Sequence, residues 1–298
     1  MNIGSSYLRY NRFIKWVREK GKGLHFATIA SGSSGNAILV GDGAKNLLVD
    51  CGISAKSLLN NLVCLGIPAS DIEGIIVTHE HIDHIRGVGT LARKLKIPVY
   101  ATEGIWEELA RTSGRISPEQ KVIVRDRFGC AGLAVEIFPT SHDSRESYGV
   151  RIESHKGSTP LAVGIATDSG MITEEMNRHL IGCKALIVEA NHDSEKLWQG
   201  GYPWFLKKRI SSNTGHLENS QLAEGLLSWI DEHTQRVVLA HLSDKNNTPE
   251  LALATVLRIL RDSNIPKRNP GLRIRVAPRF SPHELICLQE EYAREGQK

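Results

Sequence analysis

Six consecutive residues, His79-Glu80-His81-Ile82-Asp83-His84, follow directly on an apolar run, Gly74–Val77, that reads as a buried strand. Residues i and i+2 of an extended segment project to the same side, so His79 and His81 can grip one metal ion. Asp83 and His84 come where the chain turns into the next helix and can reach a second ion beside it; Asp83 doubles as a candidate catalytic carboxylate. Three imidazoles and a carboxylate in so short a span suit a borderline cation such as zinc or manganese. A patch of unrelated surface histidines is the plainer alternative, but such density at the C-terminal end of a buried strand is rare by chance. The segment is not the H-E-x-x-H metalloprotease motif, because its fifth position is Asp83. The fold must therefore hold the end of a buried strand open to solvent.

The rest of the chain alternates short Val/Ile/Leu-rich runs with helical patterns. Strands are expected at His25–Ala30, Ala37–Val40, Asn46–Asp50, Gly74–Thr78, Pro98–Ala101, Val122–Val124 and Leu133–Phe138, then at Tyr148–Ile152, Leu161–Ala166, Ala185–Glu189, Arg236–Ala240 and Leu272–Val276. Helices are expected at Ala55–Leu65, Ile85–Leu95, Gly104–Arg111, Glu174–Leu180, Ser220–Glu232 and Glu250–Arg261, with Ser54, Thr173 and Asn219 as N-caps. Many strands and few helices favour an α/β chain of two packed sheets over one doubly wound sheet. No repeat or low-complexity linker divides it, so 23–298 is expected to form a single domain.

Charge separates off the N-terminus. Met1 to Lys22 holds six basic residues against Glu19 alone, whereas the whole chain has a net charge of only +4. The positive balance is therefore a property of an N-terminal extension and not of a broadly basic surface. That stretch has no apolar core of a secretory signal; it reads as a frayed or helical extension, a phosphate-touching arm or an organelle-targeting segment. Cys51, Cys64, Cys130, Cys183 and Cys287 are an odd set without C-x-x-C spacing, so neither a disulfide framework nor a zinc ribbon is expected. With no run of about 18 to 20 apolar residues to span a bilayer, a cytoplasmic protein is expected.

H-x-H-x-D-H after an apolar strand resembles the signature of the metallo-β-lactamase superfamily, and residues matching its other motifs occur downstream in order. Asp50, ending Asn46–Asp50, matches the aspartate that anchors the ligand loop from behind. His142, in Pro139-Thr140-Ser141-His142-Asp143, matches the third histidine of one metal. Asp168, in Ala166-Thr167-Asp168-Ser169-Gly170, matches the carboxylate that bridges both. His241, in Leu239-Ala240-His241-Leu242-Ser243, matches the last histidine of the second. The resemblance spans roughly His25 to Pro278. It implies an αββα sandwich, two packed mixed β-sheets flanked by helices, with two divalent ions held by His79, His81, Asp83, His84, His142, Asp168 and His241. Two cations about 3.5 to 4 Å apart can hold a bridging water and lower its pKa towards about 7, giving a hydroxide nucleophile without serine or cysteine. His81 stands where a flavodiiron protein would carry glutamate, which argues for hydrolysis over oxygen chemistry.

Further blocks narrow the substrate. Phe26 to Asn36 reads F-A-T-I-A-S-G-S-S-G-N, and with Glu189-Ala190-Asn191-His192-Asp193, Gly215-His216-Leu217 and His241 to Glu250 it is similar to the YycJ/WalJ-type subfamily. Members of that subfamily are associated with 5′-to-3′ exonuclease action on DNA, so the resemblance implies a nuclease with double-stranded DNA as its partner. His216 occupies a place like the histidine of the tRNase Z H-S-T motif, a candidate proton donor or phosphate contact; for His192 and His216 alike, plain loop structure is the alternative. Glu218 stands where the subfamily more often has serine. Tyr202 to Arg209 mixes aromatic rings with cations, as a nucleic-acid groove does, or forms an amphipathic segment packed down on its apolar side. Lys267, Arg268, Arg273, Arg275 and Arg279 read as a solvated edge strand or a phosphate track.

Competing expectations are a thioesterase or lactonase of the glyoxalase II kind, a β-lactamase, or a regulatory protein with a vestigial site. Glyoxalase-like enzymes lack the E-A-N-H-D and G-H-L blocks, a secreted β-lactamase would carry a signal peptide, and a vestigial site should have lost ligands. The span from Asp168 to His241 is too short for the inserted domain of a β-CASP nuclease.

Overall fold

Runs such as Leu24–Ala30 and Leu161–Ala166 are apolar at nearly every position, which suits strands covered on both faces. In the computed structural model, which describes residues 23–288 apart from positions 44 and 158, every residue of these two strands is buried. The basic stretch Met1 to Lys22 lies outside the described residues.

Strands β1 (Leu24–Ala30), β2 (Ala37–Asp42), β3 (Lys45–Val49), β4 (Ile72–Ile76), β5 (Val99–Ala101) and β6 (Lys121–Ile123) form the first sheet. The second contains β7 (Arg127–Cys130), β8 (Leu133–Pro139), β9 (Tyr148–Ser154), β10 (Leu161–Ala166), β11 (Ala185–Glu189), β12 (Arg236–Ala240) and β13 (Arg273–Val276). The short β14 (Ile286–Cys287) returns to pair with β1. Both sheets are mixed. β1, β2 and β3 pair antiparallel and β3 to β6 parallel; β7 to β10 pair antiparallel and β10 to β13 parallel.

Alternation along each strand sorts its side chains between two layers. Phe26, Val40, Leu47 and Val49 of the first sheet meet Val135, Ile152, Val163 and Ile187 of the second in a core between the sheets. Ala27, Ile29, Leu48 and Ile75 face outward and are covered by Leu58, Leu62, Leu91 and Trp106, from helices Ala55–Leu65, Val88–Leu95 and Glu103–Thr112. Leu186, Val188 and Leu239 are covered likewise by Met176, Leu222, Leu226, Trp229 and Val256, from helices Glu174–Leu180, Asn219–Trp229 and Pro249–Arg261. The result is the expected αββα sandwich. Trp229 is fully buried and its indole N–H donates to Asn177 Oδ1 at 2.7 Å; truncating such a ring costs about 3 to 5 kcal/mol.

Several local expectations need correction. The helix expected over Ile85–Leu95 is two pieces, Ile82–Ile85 and Val88–Leu95. They divide at Gly87, where a Cβ would lie 2.2 Å from Ile53 O and the backbone N–H donates to Cys51 O. The cap of helix Asn219–Trp229 is Glu218, not Asn219: Glu218 accepts from the backbone of Gln221, whose side chain returns a bond to the Glu218 N–H. That reciprocal capping box accounts for Glu218 where serine is more usual, since both side chains can accept the same backbone proton. Strands β7 and β14 were not expected: β7 reads Arg-Phe-Gly-Cys, with a glycine inside it, and β14 has only two residues. Arg273 and Arg275 do lie exposed on the edge strand β13. Among the described residues, no helix is long and apolar enough to cross a membrane.

Candidate metal centre

The parallel strands of both sheets end at one rim, the place where open α/β sheets commonly bind ligands. There the chain must turn sharply, and Asp50, Asp168 and His241, just beyond β3, β10 and β12, have φ of 63°, 61° and 54°. A left-handed backbone costs a non-glycine residue about 1 to 3 kcal/mol. Hydrogen bonds hold two of these turns: the Asp50 N–H donates to Ile76 O at 2.8 Å and the His241 N–H to Ser31 Oγ at 2.7 Å.

All seven residues expected as ligands converge on this rim. The ring nitrogens of His79, His81 and His142 lie within 4.8 Å of one another, and so do the donor atoms of Asp83, His84 and His241. Asp168 stands between the two groups: one carboxylate oxygen is 3.1 Å from His84 Nε2, the other 3.4 Å from His241 Nδ1 and 3.8 Å from His142 Nε2.

Other side chains fix which nitrogen each imidazole presents. Asp50 accepts from Thr78 N at 2.9 Å, from Thr78 Oγ1 at 2.8 Å and from His84 Nδ1 at 2.7 Å, which turns His84 Nε2 forward. His142 Nδ1 is satisfied by Gly215 O at 2.9 Å, which leaves Nε2 for the site. The loop carrying His142 is tied down by the Arg145 N–H, which donates to Glu80 Oε1 at 2.6 Å. Behind His84, Gly52 lets two loops meet: a Cβ there would lie 1.6 Å from Asp83 O and 2.7 Å from Asn36 N.

Glu189, part of the E-A-N-H-D block but without an expected role, is a further candidate residue of the site. It ends β11 and is fully buried. One oxygen takes both His216 Nδ1 and His241 Nδ1 at 2.8 Å; the other accepts from Ser169 N at 3.0 Å and Leu217 N at 3.2 Å. A carboxylate ending an apolar strand, in parallel with Asp168 and His241, was the signal. His192 takes no place in the cleft: it is buried behind it, its carbonyl accepting from Asn219 N at 2.9 Å.

The electrostatics test whether cations fit. Burial alone would raise the Asp168 carboxyl, but His241 and His84 outweigh it and hold it well below the usual carboxylate range. Glu189 is likewise held near 2, against burial, by His216 and His241. Conversely, burial would lower His84 and His241, yet Asp168 and the other carboxylates raise His84 well above its ordinary value and His241 to about 10. These carboxylates demand compensating positive charge, which divalent ions would supply in place of imidazole protons. His79 differs: burial, then the neighbouring His84, pushes it well below its ordinary value, and its buried Nε2 has no hydrogen-bond partner. A neutral, orphaned imidazole nitrogen is what a metal ligand offers. The donor set fits divalent cations.

The cleft above these residues has a volume of about 330 Å³. Ser33 and Ser243 line it, as do Tyr202, Leu206 and Arg209, and His216 reaches in with its Nε2 free of Glu189. Arg209 is the only Lys or Arg among the described lining residues, and its Nε donates to Asp143, next to His142.

Comparison with known proteins gives likenesses in sequence and in fold. Residues 45–242 match the model of the beta-lactamase superfamily domain. The chain is 40% identical over 242 residues to exodeoxyribonuclease YycJ of Bacillus anthracis, covering 80% of this chain and 90% of that one. It is 35% identical over 249 residues to exodeoxyribonuclease WalJ of Streptococcus pneumoniae, covering 82% and 90%. Among solved structures, the metallo-beta-lactamase fold protein YhfI from Bacillus subtilis superposes with a TM-score of 0.63 at 18% identity, over 88% of this chain and 99% of that one.

Proposed function

The chain belongs to the metallo-β-lactamase superfamily and is a metal-dependent hydrolase, and from that premise we propose that it is a two-metal 5′-to-3′ exonuclease acting on double-stranded DNA. The observation that carries the two-metal part is the position of Asp168, within 3.8 Å of donor nitrogens from both histidine groups. His79, His81 and His142 would hold one ion, Asp83, His84 and His241 the other, with Asp168 shared between them. Zinc and manganese both suit these ligands. Bound there, the pair of ions supplies Lewis-acid polarisation of phosphoryl oxygens and lowers the pKa of water towards about 7.

The chain's own residues do the rest. Asp83, partly open to the cleft and 3.4 Å from His241 Nε2, accepts a hydrogen bond and orients the attacking water. His216 is the proton donor. Burial would lower its pKa, but Glu189 and Asp168 raise it above the ordinary histidine value, and the bond from Nδ1 to Glu189 leaves Nε2 for the substrate. Arg209, braced by Asp143, contacts a substrate phosphate and offsets the negative charge of the cleft. The DNA substrate is supported by the relatives at 40% and 35% identity, whose names describe exodeoxyribonucleases.

The test is digestion of end-labelled double-stranded DNA by chelator-treated protein with Mn²⁺ or Zn²⁺ added back, alongside His81→Ala. Metal-dependent release of nucleotides from the 5′ end, absent in the variant, is the expected result. Metal-loaded protein that leaves DNA intact but hydrolyses a thioester or lactone would overturn the substrate.

A further inference from the structure

We infer that helices Ser194–Gln199 and Trp204–Ile210 form a platform on which the bases of a single, unpaired DNA strand stack as its end enters the metal cleft, an inference that rests on the nuclease assignment. Helix Trp204–Ile210 has no buried residue, although three of its seven residues are large apolar or aromatic ones at its start, Trp204-Phe205-Leu206. Its cleft side is set by period: Tyr202, Leu206, Arg209 and Ile210 line the metal cleft. Trp204 and Lys208 fall on the opposite face by the same 3.6-residue period, and Phe205 on the flank beside Arg209. Trp204 is 65% exposed and Phe205 73%.

Rings left in water on this scale gain nothing for the isolated fold and mark a contact surface. The platform is braced, not loose. Trp198 of the preceding helix lies 5.2 Å from the Trp204 ring, and Lys207 Nζ donates to Trp198 O at 2.7 Å. Lys208 Nζ sits 5.1 Å over the Trp204 ring, so a cation stands directly beside the stacking surface.

Charge chooses the occupant. Lys207, Lys208 and Arg209 are consecutive, and protein–protein interface cores are depleted in lysine. Aromatic faces interleaved with cations are how proteins grip single-stranded nucleic acid. The cleft beyond is lined by Asp83, Asp143 and Asp168; a polyanion approaching it needs an adjacent cationic foothold. An intact duplex hides its base faces within the stack, so the rings take bases from a frayed or overhanging end. The strand would thus be captured on the platform and fed past Arg209 to the metals.

The full-length, Mn²⁺-loaded protein is compared with the Trp204→Ala/Phe205→Ala variant and with the conservative Trp204→Phe/Phe205→Tyr variant. Binding is read by anisotropy of a fluorescein-labelled, phosphorothioate-linked oligodeoxythymidylate. Exonuclease KM and kcat, hydrolysis of bis(p-nitrophenyl) phosphate and light scattering are read in parallel. The alanine variant should bind the oligonucleotide roughly ten-fold or more weakly, as expected for the loss of stacked rings. Its KM should rise with kcat nearly unchanged, small-ester hydrolysis should stay normal, and the aromatic variant should recover. Unchanged oligonucleotide affinity, with the wild type binding DNA, overturns the platform alone. A variant that merely dissociates a wild-type dimer makes the face a self-interface and also overturns it. Wild-type protein that binds and cleaves no DNA refutes the nuclease assignment itself, and the platform with it.

Discussion

Glu189→Gln replaces one oxygen by an amide nitrogen in a fully buried position, and the structure leaves that nitrogen no acceptable neighbour. If it faces His216 and His241, both Nδ1 atoms must turn from donor to acceptor, and each Nε2 then carries a proton towards the cleft. If it faces the other way, it meets the Ser169 and Leu217 N–H groups, and two buried donors lose their acceptor. An orphaned buried donor costs about 1 to 3 kcal/mol, and the bonds that remain to the imidazoles lose their charge assistance. A stability loss of about 3 to 5 kcal/mol in the metal-free protein is expected, measured by urea unfolding. With His241 no longer oriented, affinity for the ion it helps to hold should fall about 10- to 100-fold in a calorimetric titration. The alkaline limb of the pH–rate profile for bis(p-nitrophenyl) phosphate should move to lower pH, because Glu189 no longer raises His216. A variant with wild-type metal affinity and an unshifted alkaline limb would refute the account of Glu189 as the residue that orients both histidines.

Gly52→Ala should cost both folding stability and metal content, because its Cβ would lie 1.6 Å from Asp83 O; a variant that melts normally and retains full metal would show that the two loops can part. His81→Ala, in a half-buried position, should lower turnover by at least about 100-fold, while the melting temperature of the metal-free protein changes little; near-normal turnover would sink the two-metal site. In metal-free protein the raised pKa of His241 contributes stability that is fully present below about 6.5 and is lost as pH rises through about 10. Unfolding followed between those pH values should show that loss in the metal-free protein and not in the metal-loaded one, where a cation replaces the proton. Equal pH dependence in both forms would remove the cation-for-proton exchange.

The candidate metal ligands were legible because one cluster is announced locally and the rest follow it in the order the resemblance implies. His79 to His84 form one continuous segment, and His142, Asp168 and His241 each end an apolar run whose length and composition mark a strand. Strand ends at one rim of a sandwich must lie together, so motif order in the chain becomes proximity in space. The supporting residues were harder to see. Thr78 and Glu80 act through one or two hydrogen bonds and Gly52 through a missing side chain, and none of these leaves a periodic trace. Glu218 stands out in the sequence only as a departure from serine, and its carboxylate caps the helix beside the site. His216 is singled out in the sequence by its motif, but its plain alternative, loop structure, is the same as that of His192, and only their surroundings separate them.

The sequence by itself determined the layered α/β class and a candidate set of metal ligands, because strand periodicity, helix caps and the order of motifs along the chain are local properties. Only the tertiary structure decided that one carboxylate oxygen of Glu189 serves two histidines 25 residues apart. It also decided that Trp204 and Phe205 stand in solvent while Tyr202 and Arg209 line the cleft. Those assignments depend on which surfaces the two sheets and their helices leave uncovered when they pack, and no local pattern in the chain encodes what is missing from a neighbour.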